Sequence, residues 1–287
     1  MASATIATNG ERTLRGGNFY GAIAGRVEQH DAIFTDLQHT EPRKLPSHAH
    51  EMPFFWLMLG GDYAERYGRQ MVQARPFTFA FRPAGVPHQD EIGPRGVRLF
   101  GIEVGPGWRK SLQADSGSLE VAQDSDGGEL LWLGLKVYRA TRGPVEAHDL
   151  VLESLLAELL GAVAHPRQAA GKAAPPWLGR VIEKLRAECC QRVTLDDLAR
   201  EAGVHPVHLS RVFRRCTGRG IGEHVHQLRI RAACEQMLEP GKPLAEISLE
   251  TGFADQSHFT RAFRRVAGIS PGAFRTALSP HPPRAPG

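Results

Sequence analysis

Two stretches of the chain carry arginines at the same spacing. Residues 211–215 read Arg-Val-Phe-Arg-Arg, and residues 261–265, fifty positions later, read Arg-Ala-Phe-Arg-Arg. A guanidinium offers N–H donors in a rigid planar fork, which matches either a guanine edge or a phosphate group. On helices, each stretch divides into two faces. Leu209, Val212, Phe213 and Cys216 share one face of the first, and Val207, Ser210, Arg211 and Arg214 share the other. In the second, Phe259, Ala262, Phe263 and Val266 lie opposite Ser257, Thr260, Arg261 and Arg264, with Gln256 near the start. The outward sets match position by position. Gln256 can make paired bonds to adenine, and Ser210, Ser257 and Thr260 can serve a base or a phosphate. Arg214, Arg215, Arg264 and Arg265 fall one turn later and suit phosphates. A basic helix face is most often plain solvated surface; two matching copies argue for DNA.

These faces need helices to present them. In residues 198–218 and 247–268 a short apolar-periodic helix ends at a glycine (Gly203, Gly252), a turn follows, and the arginine helix ends at another glycine (Gly218, Gly268). That is a helix-turn-helix plan, present twice. Two such units can place two helices in DNA grooves. Thr194-x-x-Asp197 fits a capping box before the first unit. Its second helix should begin near His205, with Pro206 at the first helical position. Residues 223–238 form a long connecting helix whose Val225, Leu228, Ala232 and Met237 can face both units.

The front half has another character. FFWLML (54–59), TFAFRP (78–83) and VRLFGIEV (97–104) are strand-like runs between Gly and Pro breaks, which predicts an antiparallel β-barrel or sandwich. Short helices are expected over 108–112 and 130–140. Residues 145–163 carry Leu152, Leu155, Leu156, Leu159 and Val163 as an apolar helical stripe. A two-fold contact between copies is the common use of such a stripe, so a homodimer through residues 142–165 is expected. The organisation read this way is a flexible tail (1–17), a sensor barrel (18–105), a helical dimerisation region (106–164), a linker (165–176), an all-α DNA-binding domain (177–278) and a disordered tail (279–287).

Composition agrees with a two-part chain. The 287 residues carry a formal charge of +4. Residues 177–287 hold 17 Lys+Arg against 11 Asp+Glu, a balance of +6; residues 1–176 hold 18 against 20, a balance of −2. A basic repeat half suits nucleic acid, and the near-neutral front half suits another task. The four cysteines show no C-x-x-C spacing, which predicts burial as small apolar residues in a reducing compartment. No signal pattern stands at the start, and no apolar run approaches the roughly 20 residues of a membrane span. A soluble, cytoplasmic, non-membrane protein is expected.

GFADQSHFTRAFRRVAGISPGAFR (252–275), together with Arg229-Ile230-x-x-Ala233, makes the back half resemble the DNA-binding domain of the AraC/XylS family of transcription regulators, over about residues 178–277. The resemblance implies two recognition helices in adjacent major grooves of double-stranded DNA. The implied base readers are Val207, Ser210, Arg211, Gln256, Ser257, Thr260 and Arg261. Thr194, Arg214, Arg215, Arg264 and Arg265 are the implied phosphate contacts, and RNA polymerase is a further implied partner. His205 departs from the Ser that often caps this helix in the family. In front, His48-x-His50 and Pro83-Ala84-Gly85-Val86-Pro87-His88 resemble the two signature segments of cupin barrels. The fold class expected is therefore α+β and multidomain: a cupin-like antiparallel barrel with helices, then an all-α double helix-turn-helix domain.

Enzymatic cupins hold a metal with three His and one Glu. Phe54 stands where that Glu would, and Glu51 lies beside His50, where a regular strand points it elsewhere. The expectation is accordingly a metal-free and cofactor-free pocket, lined by His48, His50, Phe54, Trp56 and His88, that binds a small-molecule effector. A filled barrel core without a ligand is the plainer alternative for these residues. The chain is expected to be a ligand-sensing transcription regulator with no catalytic residues. Two rivals remain open: a metal-dependent cupin enzyme, an oxygenase or isomerase, with a DNA-binding appendage, and a nucleoid-type protein that binds DNA without sequence choice.

Overall fold

The computed structural model describes residues 6–8, 11–114, 119–125, 128–142, 145–165 and 174–278. The chain divides into two compact units, Met1–Pro166 with Ala277–Gly287, and Arg167–Thr276. The first is rich in sheet and the second is helical.

Among the described residues, the first unit holds the strands β1 (Ile6–Thr8), β2 (Glu11–Leu14), β3 (Ala22–Gln29), β4 (Ala32–His39), β5 (Arg43–Lys44), β6 (His48–His50), β7 (Phe54–Tyr67), β8 (Gln70–Ala74), β9 (Phe79–Arg82), β10 (His88–Val104) and β11 (Gln123–Ser125). The helices α1 (Pro106–Ala114), α2 (Gly128–Ala140) and α3 (Val145–Ala164) accompany them. The pairing path runs β1-β2-β6-β10-β7-β9-β11, with β3, β4, β5 and β8 as branches. Among the described residues no pairing joins its two ends, so the sheet is open and the closed barrel expected from the sequence is not what the strands form. The expected loose tail also differs. β1 pairs with β2, and β2 runs parallel to β6 with Arg12 beside His48 and Leu14 beside His50. The short, mixed-polarity stretch at 6–14 is an edge hairpin rather than free chain. Residues 1–5, 166–173 of the expected linker, and 279–287 lie outside the described residues.

The FFWLML run is continuous because both faces of β7 are covered. Phe54, Trp56 and Met58 share one core with Leu37, Leu45, Tyr63, Ile92 and Leu99. Phe55 turns the other way and packs against the Phe79 and Phe81 rings, at 5.4 and 4.9 Å between centroids. Pairing of β10 with β7 skips register between Ile92 and Val97. Gly61 sits opposite this bulge at φ +97°, and a Cβ there would come within 2.2 Å of the Gly96 carbonyl oxygen. The bulge lets β10 take two sets of partners: residues 88–92 meet β5, β6 and β7, and residues 97–104 meet β4 and β7.

The stripe on α3 serves this unit itself. Leu152, Leu156, Leu159, Leu160 and Val163 are buried within the chain, and α3 packs on α2. Leu155 is only half-buried, and Leu150 and Val151 are exposed. The residues expected to meet a second copy are therefore mostly occupied, because α2 offers an apolar face of its own through Leu131, Leu135 and Val137.

The second unit is α4 (Pro176–Glu188), α5 (Leu195–Ala202), α6 (Pro206–Thr217), α7 (Ile221–Gln236), α8 (Leu244–Glu250), α9 (Gln256–Ala267) and α10 (Pro271–Leu278). Leu178, Val181, Leu185, Leu198, Leu209 and Phe213 form the core of its first half, with Val225 and Leu228 of α7 packed on it. Ile230, Cys234 and Ile247 are buried in the second half, where the Phe253, Phe259, Phe263 and Phe274 rings follow one another at 5.2 to 5.6 Å. All four cysteines are free, and Cys189 and Cys234 are buried.

These burials set a direct contrast on α3. Leu159→Glu places a charge at a site with 0 % exposure and should destabilise the fold by about 3 kcal/mol or more. Leu150→Glu, at 78 % exposure, should leave the stability of the single chain, measured at concentrations where it is monomeric, within about 0.5 kcal/mol. Chemical denaturation of the two variants checks the assignment; equal midpoints would place the stripe on the surface.

Candidate nucleic-acid interface and effector cavity

Helices α5–α6 and α8–α9 are the two helix-turn-helix units, and their local chemistry repeats. Helix α6 ends at Gly218 with φ 75° and ψ −2°, and α9 ends at Gly268 with φ 75° and ψ −1°. In both, the glycine N–H donates to the carbonyl four residues back, Arg214 and Arg264 respectively. The starts differ in residue but not in function. Asp255 caps α9 by accepting from the His258 N–H at 2.7 Å. His205 caps α6 through Nδ1, which accepts from the Val207 N–H at 3.3 Å. The imidazole thus does the work of the usual hydroxyl.

The outward faces lie as the repeat predicts. Val207, Arg211, Arg214 and Arg215 are exposed on α6, and Gln256, Ser257, Arg261, Arg264 and Arg265 on α9; Ser210 and Thr260 are half-buried one turn in. Several basic residues away from these faces are engaged within the protein: Lys184 with Glu201 at 2.6 Å, Arg200 with Asp197 at 2.9 Å, Arg186 with Glu183 at 2.6 Å. Thr194 is the exception among the expected contacts. Its hydroxyl accepts from the Asp197 N–H at 3.2 Å and donates to the Asp197 carboxylate at 2.5 Å. That closes the cap of α5 and leaves no proton for a phosphate.

One residue ties the two units together. Arg229, on the connecting helix α7, donates through Nε to the Cys189 carbonyl (2.6 Å), through Nη2 to the Gln191 carbonyl (3.0 Å) and through Nη1 to the Gly252 carbonyl (2.5 Å). The first two acceptors close α4 in the first half, and the third closes α8 in the second. Gly252 has φ +81°, and a Cβ there would stand 2.7 Å from the Cys190 carbonyl oxygen and 3.0 Å from the guanidinium. Only glycine fits both the turn and the approach.

In the first unit, strand alternation gathers a polar cluster. His48 and His50 are two apart on β6, so they share a face. His88 stands directly opposite His48 across the β6–β10 pairing. Asp90 is two residues beyond His88 and joins the same face. One ring nitrogen from each of the three histidines lies within 4.8 Å of the others, all on buried residues. His48 Nδ1 lies 3.0 Å from the Pro46 carbonyl oxygen and His88 Nδ1 lies 3.4 Å from that of Val86. A carbonyl only accepts, so in the neutral ring Nδ1 carries the proton and Nε2 keeps its lone pair. Both Nε2 atoms face Asp90, at 3.8 and 4.0 Å. Tyr63 donates to Asp90 Oδ1 at 2.8 Å and holds it in place. Burial lowers the pKa of His48, with the neighbouring His88 adding to the shift, and holds His50 well below the ordinary range. Behind His50 stands Glu103, 3.8 Å from Nδ1, whose carboxyl burial pushes up to about 7.

Phe54 and Trp56 line the same cavity, and Phe54 packs on His50 at 4.3 Å between ring centroids. What the sequence reading missed is Asp90. The expected carboxylate position is indeed filled by Phe54, but a carboxylate arrives from β10 instead. His88-x-Asp90 in a strand was the available signal. Glu65, which also groups with His88 and Asp90, is committed to Arg82 in a buried ion pair. The cavity offers about 30 Å³ to the centre of a water-sized sphere. That is room for one or two waters.

The fold and the paired reading helices define a double helix-turn-helix DNA-binding domain. Residues 198–277 match a family model described as a helix-turn-helix domain. The HTH-type transcriptional activator AarP of Providencia stuartii is 30% identical over 98 residues, which are 34% of this chain and 73% of that protein. The HTH-type transcriptional regulator GlxA of Rhizobium meliloti (strain 1021) is 34% identical over 100 residues, 35% of this chain and 31% of its own length. The C-terminal domain of AraT, a response regulator from Geobacillus stearothermophilus, is 27% identical over 37% of this chain and 88% of that domain, with a TM-score of 0.34. The chain belongs to the AraC-type family of helix-turn-helix transcription regulators. It spans about a third of the length of GlxA, and the family model matches within the helical unit. No helix among the described residues is long and apolar enough to cross a membrane.

The Arg229 fork makes a prediction of its own. Arg229→Lys keeps the charge but cannot reach three carbonyls in one plane. It should cost about 2–3 kcal/mol of stability in the helical unit, on the scale of charge-assisted bonds. Chemical denaturation followed by a probe in that unit measures this; a loss below about 0.5 kcal/mol would show that the fork is not what holds the two halves.

Proposed function

We propose that the protein is a sequence-specific DNA-binding transcription regulator, whose helical unit reads a bipartite site and whose sheet unit answers a small effector. The observation that carries the reading is the matched pair α6 and α9: the same caps, the same exposed arginine positions, and a common tie through Arg229. Val207, Ser210 and Arg211 read one half-site, and Gln256, Ser257, Thr260 and Arg261 read the other. Arg214, Arg215, Arg264 and Arg265 hold phosphates. The two half-sites lie about 10 bp apart, one helical turn. A homodimer through residues 142–165 is retained as part of the proposal, supported now by the exposed Leu150 and Val151 and the half-buried Leu155 rather than by the buried stripe. A contact with RNA polymerase belongs to the same reading.

The enzymatic alternative gains the carboxylate it lacked, Asp90, but an organic substrate needs a pocket on the order of 300 Å³ or more. The cavity beside the histidines is far smaller. A relation to cupin barrels rests on the two histidine segments and on their position at paired strand ends, and it is kept as a proposal for the origin of this unit.

The test separates reading from holding. On a site chosen by selection from random DNA, Arg261→Ala should weaken binding by about 1–3 kcal/mol and relax choice in one half-site only. Arg265→Ala should weaken selected and random DNA about equally and lower the salt dependence by about one contact. Fluorescence anisotropy on both DNAs at several salt concentrations gives the comparison. Proportional losses for both variants would sink the base-reading role of Arg261, and a wild type with no preferred site would sink the regulator reading itself.

A further inference from the structure

The helical unit carries a pair of nucleophilic side chains that the reading of DNA does not use. We propose that Cys189 and Cys190 form a two-thiol site for a trivalent arsenic compound, and that loading this site weakens DNA binding. Capture is independent of the regulator reading above; its effect on DNA rests on that reading.

The end of α4 places the pair. Cys189 closes the helix with φ −55° and ψ −31°, and Cys190 follows in the turn. Their Sγ atoms lie 3.7 Å apart. Cys189 is buried and Cys190 half-buried, so the pair is reached through Cys190. The backbone of both residues is held. The Cys189 carbonyl accepts from Arg229 Nε at 2.6 Å, and the Cys190 carbonyl oxygen would stand 2.7 Å from a Cβ at Gly252. The hydrogen bond between the two sulfurs lowers the Cys190 thiol to about 7 and raises that of Cys189. On Cys190, burial and Glu235 oppose the shift, and Arg229 adds to it. Cys190 is thus the sulfur that attacks, and Cys189 supplies the second bond.

The spacing decides what the pair can take. A disulfide needs sulfurs about 2.05 Å apart and Cα atoms usually at least about 4.4 Å apart, whereas adjacent Cα atoms across a trans peptide stand about 3.8 Å apart. Direct oxidation therefore has to distort a backbone that Arg229 and Gly252 hold. A bridging atom does not. With bonds to sulfur of about 2.3 Å, a centre holds two sulfurs about 3.3 Å apart at a right angle and about 3.8 Å apart at the tetrahedral angle. The observed 3.7 Å lies in that range. A linear two-coordinate centre with the same bonds, as a soft monovalent cation such as Cu(I) forms, needs about 4.6 Å. Structural zinc needs four ligands, and among the described residues the groups of three or more candidate ligands lie in the sheet unit. Trivalent arsenic fits what is left. It is pyramidal and thiophilic, and it is satisfied by three bonds, two to the pair and one to a group that it brings.

The chemistry balances without an oxidant. Arsenous acid meeting two thiols forms two As–S bonds and loses two As–O bonds. The two thiol protons leave with the two hydroxyls as water, and arsenic stays trivalent. The third substituent then stands where the two halves of the repeat are tied. That junction has no slack, since a Cβ at Gly252 would meet the Arg229 guanidinium at 3.0 Å as well as the Cys190 carbonyl. A state with the fork loosened accommodates the substituent better than the state that presents α6 and α9 together, and this difference shifts the equilibrium away from DNA.

The experiment uses the full chain, reduced and then freed of reductant, with phenylarsine oxide and arsenite as probes. Intact-mass spectrometry should show one phenylarsenic group per chain, gained with the loss of one water. The adduct should survive a monothiol and be released by a dithiol. Cys189→Ser and Cys190→Ser should each weaken capture at least tenfold, and Cys216→Ser should leave it unchanged. Circular dichroism confirms that each variant is folded, and the wild-type result stands independently of them. Protection of the pair by arsenite extends the site to the inorganic form, and its absence restricts the ligand to organic arsenicals. Loading should lower affinity for the selected DNA at least threefold, with no such change in Cys190→Ser. Folded wild type that takes up no arsenical overturns the site; if a mild oxidant then closes the pair to a disulfide, it is a redox pair instead. Equal uptake by both serine variants at 189 and 190 overturns it too. Capture with unchanged DNA affinity overturns the effect on DNA. Capture by a chain that prefers no DNA site overturns the regulator reading instead.

Discussion

One planar cation sets the geometry of the helical unit. Arg229 reaches the carbonyl ends of α4 and α8 at once, and those helices belong to different halves of the repeat. Helix ends carry carbonyls without partners, and a cation there is favoured both by hydrogen bonding and by the helix dipole. The fork answers both needs in one residue. Without it, each half would keep its own core, since Leu178, Leu198 and Phe213 pack apart from Phe259, Phe263 and Phe274. The relation between α6 and α9 would then rest on α7 alone. A protein that reads two grooves needs that relation fixed beforehand, because each degree of freedom left open must be removed on binding.

The sheet unit follows a different logic, in which pleat and register do the placing. Side chains two apart on a strand share a face, and a cross-strand pair shares it too. His48, His50, His88 and Asp90 satisfy both conditions once β6 lies beside the start of β10. The bulge at Gly61 and Val97 permits this by freeing the first residues of β10 from the register that its later residues keep with β7 and β4.

This difference explains what could be read beforehand. The helical repeat was legible because its signals are local: a glycine after each helix, an arginine at the same step in each copy, a cap before each first turn. Gly218 and Gly268 adopt nearly the same dihedral angles because the same short-range rule acts twice. The existence of strands at 54–59 and 97–104 was legible for the same reason. Asp90 was not, because its importance depends on which strand lies beside it, and pairing between residues forty apart leaves no local mark. The apolar stripe on α3 was seen correctly as apolar, but periodicity does not say what covers it. Here α2 does, and the stripe is core. The hairpin at 6–14 was missed because an edge strand of three or four residues has no run long enough to show alternation.

A close-packed apolar interior would be more stable than the one this unit has. His50 is buried with its Nδ1 unpartnered, Glu103 Oε1 likewise lacks a partner, and His48, His88 and Asp90 face one another without hydrogen bonds between them. Each buried polar atom left so costs about 1–3 kcal/mol. Leucine or phenylalanine at these positions would remove that cost, as Phe54 does at the neighbouring position. Local departures from good packing of this kind concentrate at functional sites, where the ligand supplies the missing partners. The unpartnered atoms that line the cavity include a donor, Trp56 Nε1, beside His50 Nδ1 and the Tyr20 and Thr35 hydroxyls, so what completes the set must both give and accept hydrogen bonds, as water does.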